Sequence, residues 1–310
     1  MRISVIIPVY NTAKYLRECI DSVLNQKLER GDSLEIIAID NNSTDNSLDI
    51  LHEYKNIKVL TCEKKGAAAV RNYGIREATG DFVWFIDSDD MVAEGSLPKL
   101  IMIAKTGVDL VNYQVERFYD ATGERESLLK AIDLSKKDWQ HTFVRYGFGA
   151  WSFLIRREWF LEHELFFHEG IICEDVGIMS AYILYTDKIG VLDEVGYRYR
   201  QRMDSVSHPK QWGKESYDVM VALADLVARF KKERADKKYA EDLEEFFIWH
   251  LPIDFINSVR GFERNAKREA MRRMRKMMRE YFPKWRKNRY LKAKGVKTIL
   301  RARLGYWGLC

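Results

Sequence analysis

The order of apolar and polar positions divides the chain near residue 208. Before that point, short apolar runs alternate with segments whose apolar positions recur every three or four residues. Ile3-Ser4-Val5-Ile6-Ile7 predicts a strand closed by Pro8, and Leu34 to Ile39, Ile57 to Leu60 and Phe82-Val83-Trp84-Phe85-Ile86 predict three more. The last run is continuous, aromatic and β-branched, as in a strand covered on both faces. Leu16, Ile20, Val23 and Leu24 share one face of a helix over 13–26. A second helix starts near 42–45 with Ser43 or Thr44 as N-cap, and a third spans 66–78. This βαβαβαβ order predicts a mostly parallel sheet with right-handed crossovers. Such sheets bind ligands beyond the carboxyl ends of their strands.

Further along, Val108 to Val115 and Trp151 to Ile155 read as strands joining that sheet. A helix is expected from Glu174-Asp175, carrying Val176, Met179, Ile183 and Leu184, then a pair of strands at Ile189 to Leu192 and Val195 to Tyr199. From Lys210 the pattern is helical, with Leu223, Leu226, Val227 and Phe230 marking one helix and Leu243, Phe246, Phe247 and Leu251 another. The expected fold class is α/β: a mixed, mostly parallel sheet flanked by helices over 1–208, followed by a helical region over 209–310.

Composition changes this picture in two ways. Apolar content of 46% and charged content of 31% exclude a disordered chain. The net charge of +5 hides an asymmetry: residues 260–303 carry 18 Lys+Arg against 3 Asp+Glu, leaving 33 basic and 43 acidic residues elsewhere. A basic segment attached to an acidic body points to an anionic partner surface. Ala270, Met271, Met274, Met277, Met278, Tyr281 and Phe282 follow helical spacing among those cations, with Trp285, Tyr290 and Trp307 beyond. That helix fits a membrane interface, apolar face down; packing of the same stripe on the body is the alternative. Cys19, Cys62, Cys173 and Cys310 lack metal-ligand spacing and read as reduced thiols. The first strand begins almost at once, leaving no room for a signal peptide, and no apolar run approaches the ~18 residues of a membrane span. The expected location is cytoplasmic, with peripheral membrane contact through 260–310.

The strongest candidate chemistry is Asp87-Ser88-Asp89-Asp90, directly after the Phe82–Ile86 run. Carboxylates crowded at a strand's exit repel one another, and a divalent cation among them offsets the cost. Hard carboxylate oxygens suit Mg²⁺ or Mn²⁺, ions that bridge proteins to substrate phosphates. Pro8-Val9-Tyr10-Asn11 and Asp40-Asn41-Asn42 fall at neighbouring strand ends, so three polar clusters share one rim.

These clusters, with Gly66-Ala67-Ala68-Ala69-Val70-Arg71-Asn72, resemble the ordered motifs of the family 2 glycosyltransferases over residues 2–207. The resemblance implies an inverting enzyme of GT-A fold that uses a nucleotide-activated sugar and Mn²⁺ or Mg²⁺. It implies a nucleotide-binding half over about 1–118, an acceptor half over about 119–208, and a helical region basic and amphipathic from about 260. Pro8, Val9, Tyr10 and Asn11 would line the base; Asp40 would accept a hydrogen bond from its edge; Arg71 would face base or diphosphate. Asp87, with Ser88 beside it, would reach the ribose. Asp89 would hold the metal, with Asp90 sharing or replacing it. The family has two adjacent acids where this chain has Asp40-Asn41, which leaves the nucleotide open among UDP, GDP and dTDP, UDP being favoured.

Cys173-Glu174-Asp175 resembles the family's Glu-Asp motif. Asp175 would be the base for the acceptor hydroxyl and Glu174 would help position acceptor or base, both at a helix start that stabilises the ionised form. Tyr197 to Arg202 and Ser205 to His208 resemble the closing basic loop. Arg200 or Arg202 would clamp the diphosphate, and His208 is a further candidate metal ligand. The implied acceptor is a glycan or lipid-linked glycan of surface polysaccharide synthesis. Two other readings stay open: a catalytically silent nucleotide-sugar-binding scaffold, opposed by the presence of both Asp89 and Asp175, and a nucleic-acid binder using the basic tail, opposed by the lack of any such motif. The absence of a glycine-rich turn after the first strand speaks against a dinucleotide-dependent dehydrogenase.

Overall fold

The computed structural model describes residues 1–202 and 214–308. The chain falls into two compact units. The first comprises the described residues within 1–136, 149–170 and 185–205; the second those within 137–148, 171–184 and 206–310. The sequence pattern implied one cut near 208. Instead the stretches 137–148 and 171–184 belong with the helical region, through contacts between residues some hundred positions apart. His141 Nδ1 lies 2.7 Å from Asp242 Oδ2, and Arg145 Nε lies 3.1 Å from Asp242 Oδ1.

The first unit is built on one mixed sheet. Its strands are β1 (Arg2–Val9), β2 (Ser33–Asp40), β3 (Lys58–Thr61), β4 (Phe82–Phe85), β5 (Met91–Val92), β6 (Leu110–Tyr119), β7 (Arg125–Leu129), β8 (Phe153–Arg156) and β9 (Ile189–Gln201). They run in the order β3-β2-β1-β4-β8-β6-β9-β5, with β7 paired to β6. β3, β2, β1 and β4 are mutually parallel, and β8 enters antiparallel between β4 and β6. The helices are α1 (Ala13–Leu24), α2 (Ser47–Glu53), α3 (Ala67–Glu77) and α4 (Ser96–Ala104), with α5 (Trp139–Arg145) in the second unit and α6 (Arg157–Glu162) back in the first.

Strand β1 is buried on both faces. Ile3, Val5 and Ile7 join Leu16, Ile20 and Val23 of α1 in one core. On the other face α3 presses close: a Cβ at Gly74 would fall 2.5 Å from Ile6 Cγ2. Pro8 does not end β1. The Ile6 carbonyl accepts from Ile86 N–H, so Pro8, two residues on, faces the same β4 side, where the ladder has stopped and no N–H is needed.

Two other expectations change. The predicted pair of strands at 189–199 is one strand, β9, in which Asp193 and Glu194 bulge out between the register partners of Tyr113 and Gln114. No α-helix starts at Glu174-Asp175. Turns carry the chain to a 3₁₀ helix at Met179–Leu184, and Gly177, a poor helix former, lies where a Cβ would meet the Ala222 carbonyl oxygen at 3.1 Å.

The second unit also holds α7 (Asp218–Lys232), α8 (Ala240–Ile248), a π-helical segment (Trp249–Phe255), α9 (Ile256–Ser258), α10 (Arg264–Tyr281), α11 (Arg289–Ala293) and α12 (Val296–Trp307). The apolar stripe of α10 is interior: Ala270, Met271, Met274, Met277 and Met278 are buried. That face is occupied by packing, so it is not the surface that could enter a lipid interface. Among the described residues, no helix is long and apolar enough to cross a membrane.

Candidate active site

The carboxyl ends of β1, β2 and β4 are tied into one rim by side chains from the loops that follow them. Asn11, in a left-handed backbone conformation, donates its N–H to Ser43 Oγ at 3.1 Å, and its Oδ1 accepts from Thr44 N–H at 2.7 Å. Thr12 Oγ1 lies 2.9 Å from Ser88 Oγ, joining the first loop to the aspartate turn. Asp45 Oδ2 accepts from Ala13 N–H at the start of α1. Ser43, Thr44 and Asp45 thus lace the loops, and α2 begins later, at Ser47. Asp40 is buried and accepts from Ser43 N–H. The Tyr10 ring is 56% exposed, which leaves its face open to a planar group.

Asn41 has a task that the sequence did not reveal. Its amide donates to the Cys62 carbonyl at 2.8 Å and the Lys64 carbonyl at 2.9 Å, while its Oδ1 accepts from Gly66 N–H at 2.9 Å. It fastens the end of β2 to the loop entering α3. A carboxylate has no protons to offer two carbonyls, so the amide is what this connection requires.

The aspartates differ in their exposure. Asp87 and Asp89 keep 30% and 20% of their side-chain surface exposed, while Asp90 is buried. Asp90 Oδ2 accepts from the Tyr197 hydroxyl at 2.6 Å and Oδ1 accepts from Arg200 N–H at 2.7 Å. The same hydroxyl accepts from Asp87 N–H at 3.1 Å, and the Tyr197 ring stacks on Trp151 at 5.1 Å. Asp90 therefore shapes the turn from inside, with one accepted hydrogen bond on each carboxylate oxygen.

Guanidinium groups answer the remaining charge. Arg71 on α3 meets Asp87 Oδ1 at 2.8 Å, and Arg202 Nε meets Asp89 Oδ2 at 2.8 Å. Arg200 is buried and fully committed. Its Nε donates to the Asp89 carbonyl at 2.7 Å, and its terminal nitrogens meet Asp120 and Glu18 at 2.6 Å each. Its guanidinium carbon also lies over the Tyr15 and Phe118 rings at 4.8 and 4.6 Å. Arg200 anchors the turn through these contacts. Glu18, Asp120, Tyr197 and Trp151 belong to this framework; only the Tyr-Arg-Tyr-Arg alternation hinted at it in the sequence.

Repulsion in the turn is not fully answered. Burial and then the Asp87 charge raise the Asp89 carboxyl above its usual range, with Arg202 pulling the other way. Burial and then the Asp89 and Asp87 charges push Asp90 well up. Among the described residues, no three His, Cys, Asp or Glu side chains form a cage. Asp89, with Asp87 beside it, presents hard, partly exposed oxygens, which suits a Mg²⁺ or Mn²⁺ held jointly with phosphate and water.

Glu174 and Asp175 lie in the second unit. Cys173 before them holds a left-handed backbone (φ 63°), uncommon for a residue with a Cβ. Ile172 N–H donates to Asp218 Oδ2 at 2.9 Å, and Val176 N–H donates to Asp175 Oδ1 at 2.9 Å. Glu174 is buried. The Cys173 thiol is pushed up to about 12, by burial first and by the adjacent acids second, so it is no nucleophile at neutral pH. His208 lies outside the described residues.

Comparison with known proteins identifies the family and the fold. Residues 4–166 match the family model described as glycosyl transferase family 2. The glycosyltransferase GlyG of Streptococcus pneumoniae is 30% identical over 280 residues, covering 84% of this chain and 87% of its own. The poly(ribitol-phosphate) beta-glucosyltransferase of Bacillus spizizenii is 29% identical, over 85% of this chain and 41% of its own. The crystal structure of S. aureus TarS 1-349 in complex with UDP-GlcNAc superposes with a TM-score of 0.73 at 20% identity, covering 100% of this chain and 89% of that one. At that identity the likeness establishes the fold, the GT-A-type curled sheet with helices following it.

Proposed function

Because the chain belongs to glycosyl transferase family 2 and is a glycosyltransferase, we propose that it is an inverting, metal-assisted enzyme. In this reading it moves a sugar from a UDP-sugar to a hydroxyl of a cell-surface polymer or lipid-linked glycan. The observation that carries the reading is the single rim on which Tyr10, Asp40, Arg71, Asp87 and Asp89 meet, its loops hydrogen-bonded to one another. A poly(ribitol-phosphate) glucosyltransferase among the relatives and the UDP-GlcNAc complex of TarS support the choice of donor and acceptor class.

Each residue has a separate task in this reading. The Tyr10 ring and the Pro8–Asn11 backbone pack on the base, and Asp40 accepts from its edge. Asp87, held by Arg71, takes the ribose hydroxyls. Asp89 would hold a Mg²⁺ or Mn²⁺, which would supply Lewis-acid stabilisation of the charge on the leaving group. Arg202 turns from Asp89 to the diphosphate oxygens and shares that charge. The acceptor oxygen forms the new bond to the anomeric carbon as the nucleoside diphosphate leaves with the old bonding pair; Asp175 takes the hydroxyl proton, and Glu174 orients the acceptor.

A thermal-shift series tests the proposal. UDP and UDP-GlcNAc with Mn²⁺ should raise the melting temperature through linkage, and far less without the metal. Asp89→Asn should abolish that metal dependence and reduce transfer at least about a hundredfold. A chain that no UDP-sugar stabilises, or an Asp89→Asn variant with full activity, overturns the reading.

A further inference from the structure

Helix α12 has two faces of opposite character. Ala302, Gly305 and Tyr306 are buried, and a Cβ at Gly305 would fall 1.8 Å from the Pro252 carbonyl oxygen, so the helix meets the π-helical segment backbone to backbone. On the other side Val296, Leu300, Leu304 and Trp307 are 72, 51, 41 and 59% exposed. At about 100° per residue these four fall within an arc of about 80°, roughly opposite Ala302 and Gly305. They are half of the large hydrophobic side chains exposed among the described residues, gathered on one helix. Apolar residues scattered singly need no explanation; a continuous stripe does.

The surroundings specify what the stripe fits. Lys297 and Arg301 border it on one side and Arg303 on the other, all exposed, with Arg301 also 3.9 Å from Asp254. Residues 281–310 contain nine Lys and Arg and no Asp or Glu. An apolar strip flanked by cations, with a tryptophan at its end, is the composition of a helix lying in a lipid headgroup boundary. A second copy of the chain would cover the same strip, but facing copies would set these cations against one another.

We propose that α12 docks this protein on an anionic lipid surface, with the Val296/Leu300/Leu304/Trp307 stripe in the headgroup–acyl boundary and Lys297, Arg301 and Arg303 on the lipid anions. The surface differs from the α10 stripe that the sequence pattern singled out, which is buried. It shares no residue with the nucleotide rim, so it stands or falls apart from the transfer reading.

The test is co-sedimentation of the full chain with vesicles of phosphatidylcholine, with and without about one-third phosphatidylglycerol. The wild-type chain should sediment with the anionic vesicles only. The double variant Leu300→Ser/Leu304→Ser and the triple variant Lys297→Gln/Arg301→Gln/Arg303→Gln should each lower partitioning at least about tenfold, and the triple variant should lose most of the salt dependence. Melting temperature and UDP-sugar hydrolysis in solution should be unchanged in both. Lipids brominated high in the acyl chain should quench a fluorescence component that Trp307→Phe removes. Equal binding to neutral vesicles, no binding at all, or variants that sediment like the wild type overturn the proposal. So does a wild-type dimer in sedimentation equilibrium that the leucine variant dissociates, since the stripe would then be a contact between copies.

Discussion

Asn41 gives the most exact residue-level test of how the rim is held. It is buried, donates to two carbonyls and accepts from one N–H. Asn41→Asp would restore the acid that the family resemblance leads one to expect here, and would place a charge against the Cys62 and Lys64 carbonyls. The expected outcome in urea unfolding is a loss of about 2–3 kcal/mol, with weaker UDP binding because that loop sets the start of α3, which carries Arg71. A variant within about 0.5 kcal/mol of wild type would show that Asn41 is not the fastening. The place of the Asp87–Asp90 cluster at a strand's end was legible because it depends only on four adjacent residues and the strand before them. Arg200 was not: its carboxylate partners Glu18 and Asp120 stand 182 and 80 positions away, so nothing local separates an anchor from a phosphate clamp.

Among the elements, the parallel half of the sheet follows from periodicity, since β1 to β4 are apolar runs separated by amphipathic helices. The two-residue β5 and the polar β7 are held by pairing to β9 and β6, and pairing leaves no local signature. Asp193-Glu194 read as a break between two strands because a bulge and a loop look alike in one dimension. The π-helical segment is a similar case. Pro252 inside it lacks an N–H, and the wider turn accommodates the missing bond. His250 lies in the same segment, tilted against Phe246 at 4.4 Å, and burial lowers its pKa from 6.5 to about 4. The unfolded chain therefore binds more protons than the folded one between those values. The stabilisation is complete above about pH 6.5 and is lost as pH falls toward 4, on the order of 2 kcal/mol for this partly buried ring. Urea midpoints measured from pH 7 to 4.5 should fall more steeply for wild type than for His250→Gln. Parallel curves would remove His250 from the account.

At the scale of the whole molecule, the basic excess after residue 260 is carried by a folded part and not by a detachable tail. Helix α10 is cationic on its outer positions, but Met271, Met274, Met277 and Met278 point into the second unit. Gly305 of α12 closes on the Pro252 backbone from the other side of the sequence. Burying those four methionines is worth about 6–12 kcal/mol, as much as the net stability of a typical domain. A chain cut after residue 260 would also strip cover from the buried Phe247, which meets Tyr281 and Phe282 at 5.7 and 4.8 Å. The truncated protein should bind a hydrophobic dye, melt without cooperativity in its helical signal and aggregate at micromolar concentration. A soluble fragment melting as sharply as the full chain would mean that α10 to α12 are an appendage after all. The stripe on α12 is better tested by substitution than by deletion for the same reason: its inner face holds the unit together, and only its outer face is free to meet another surface.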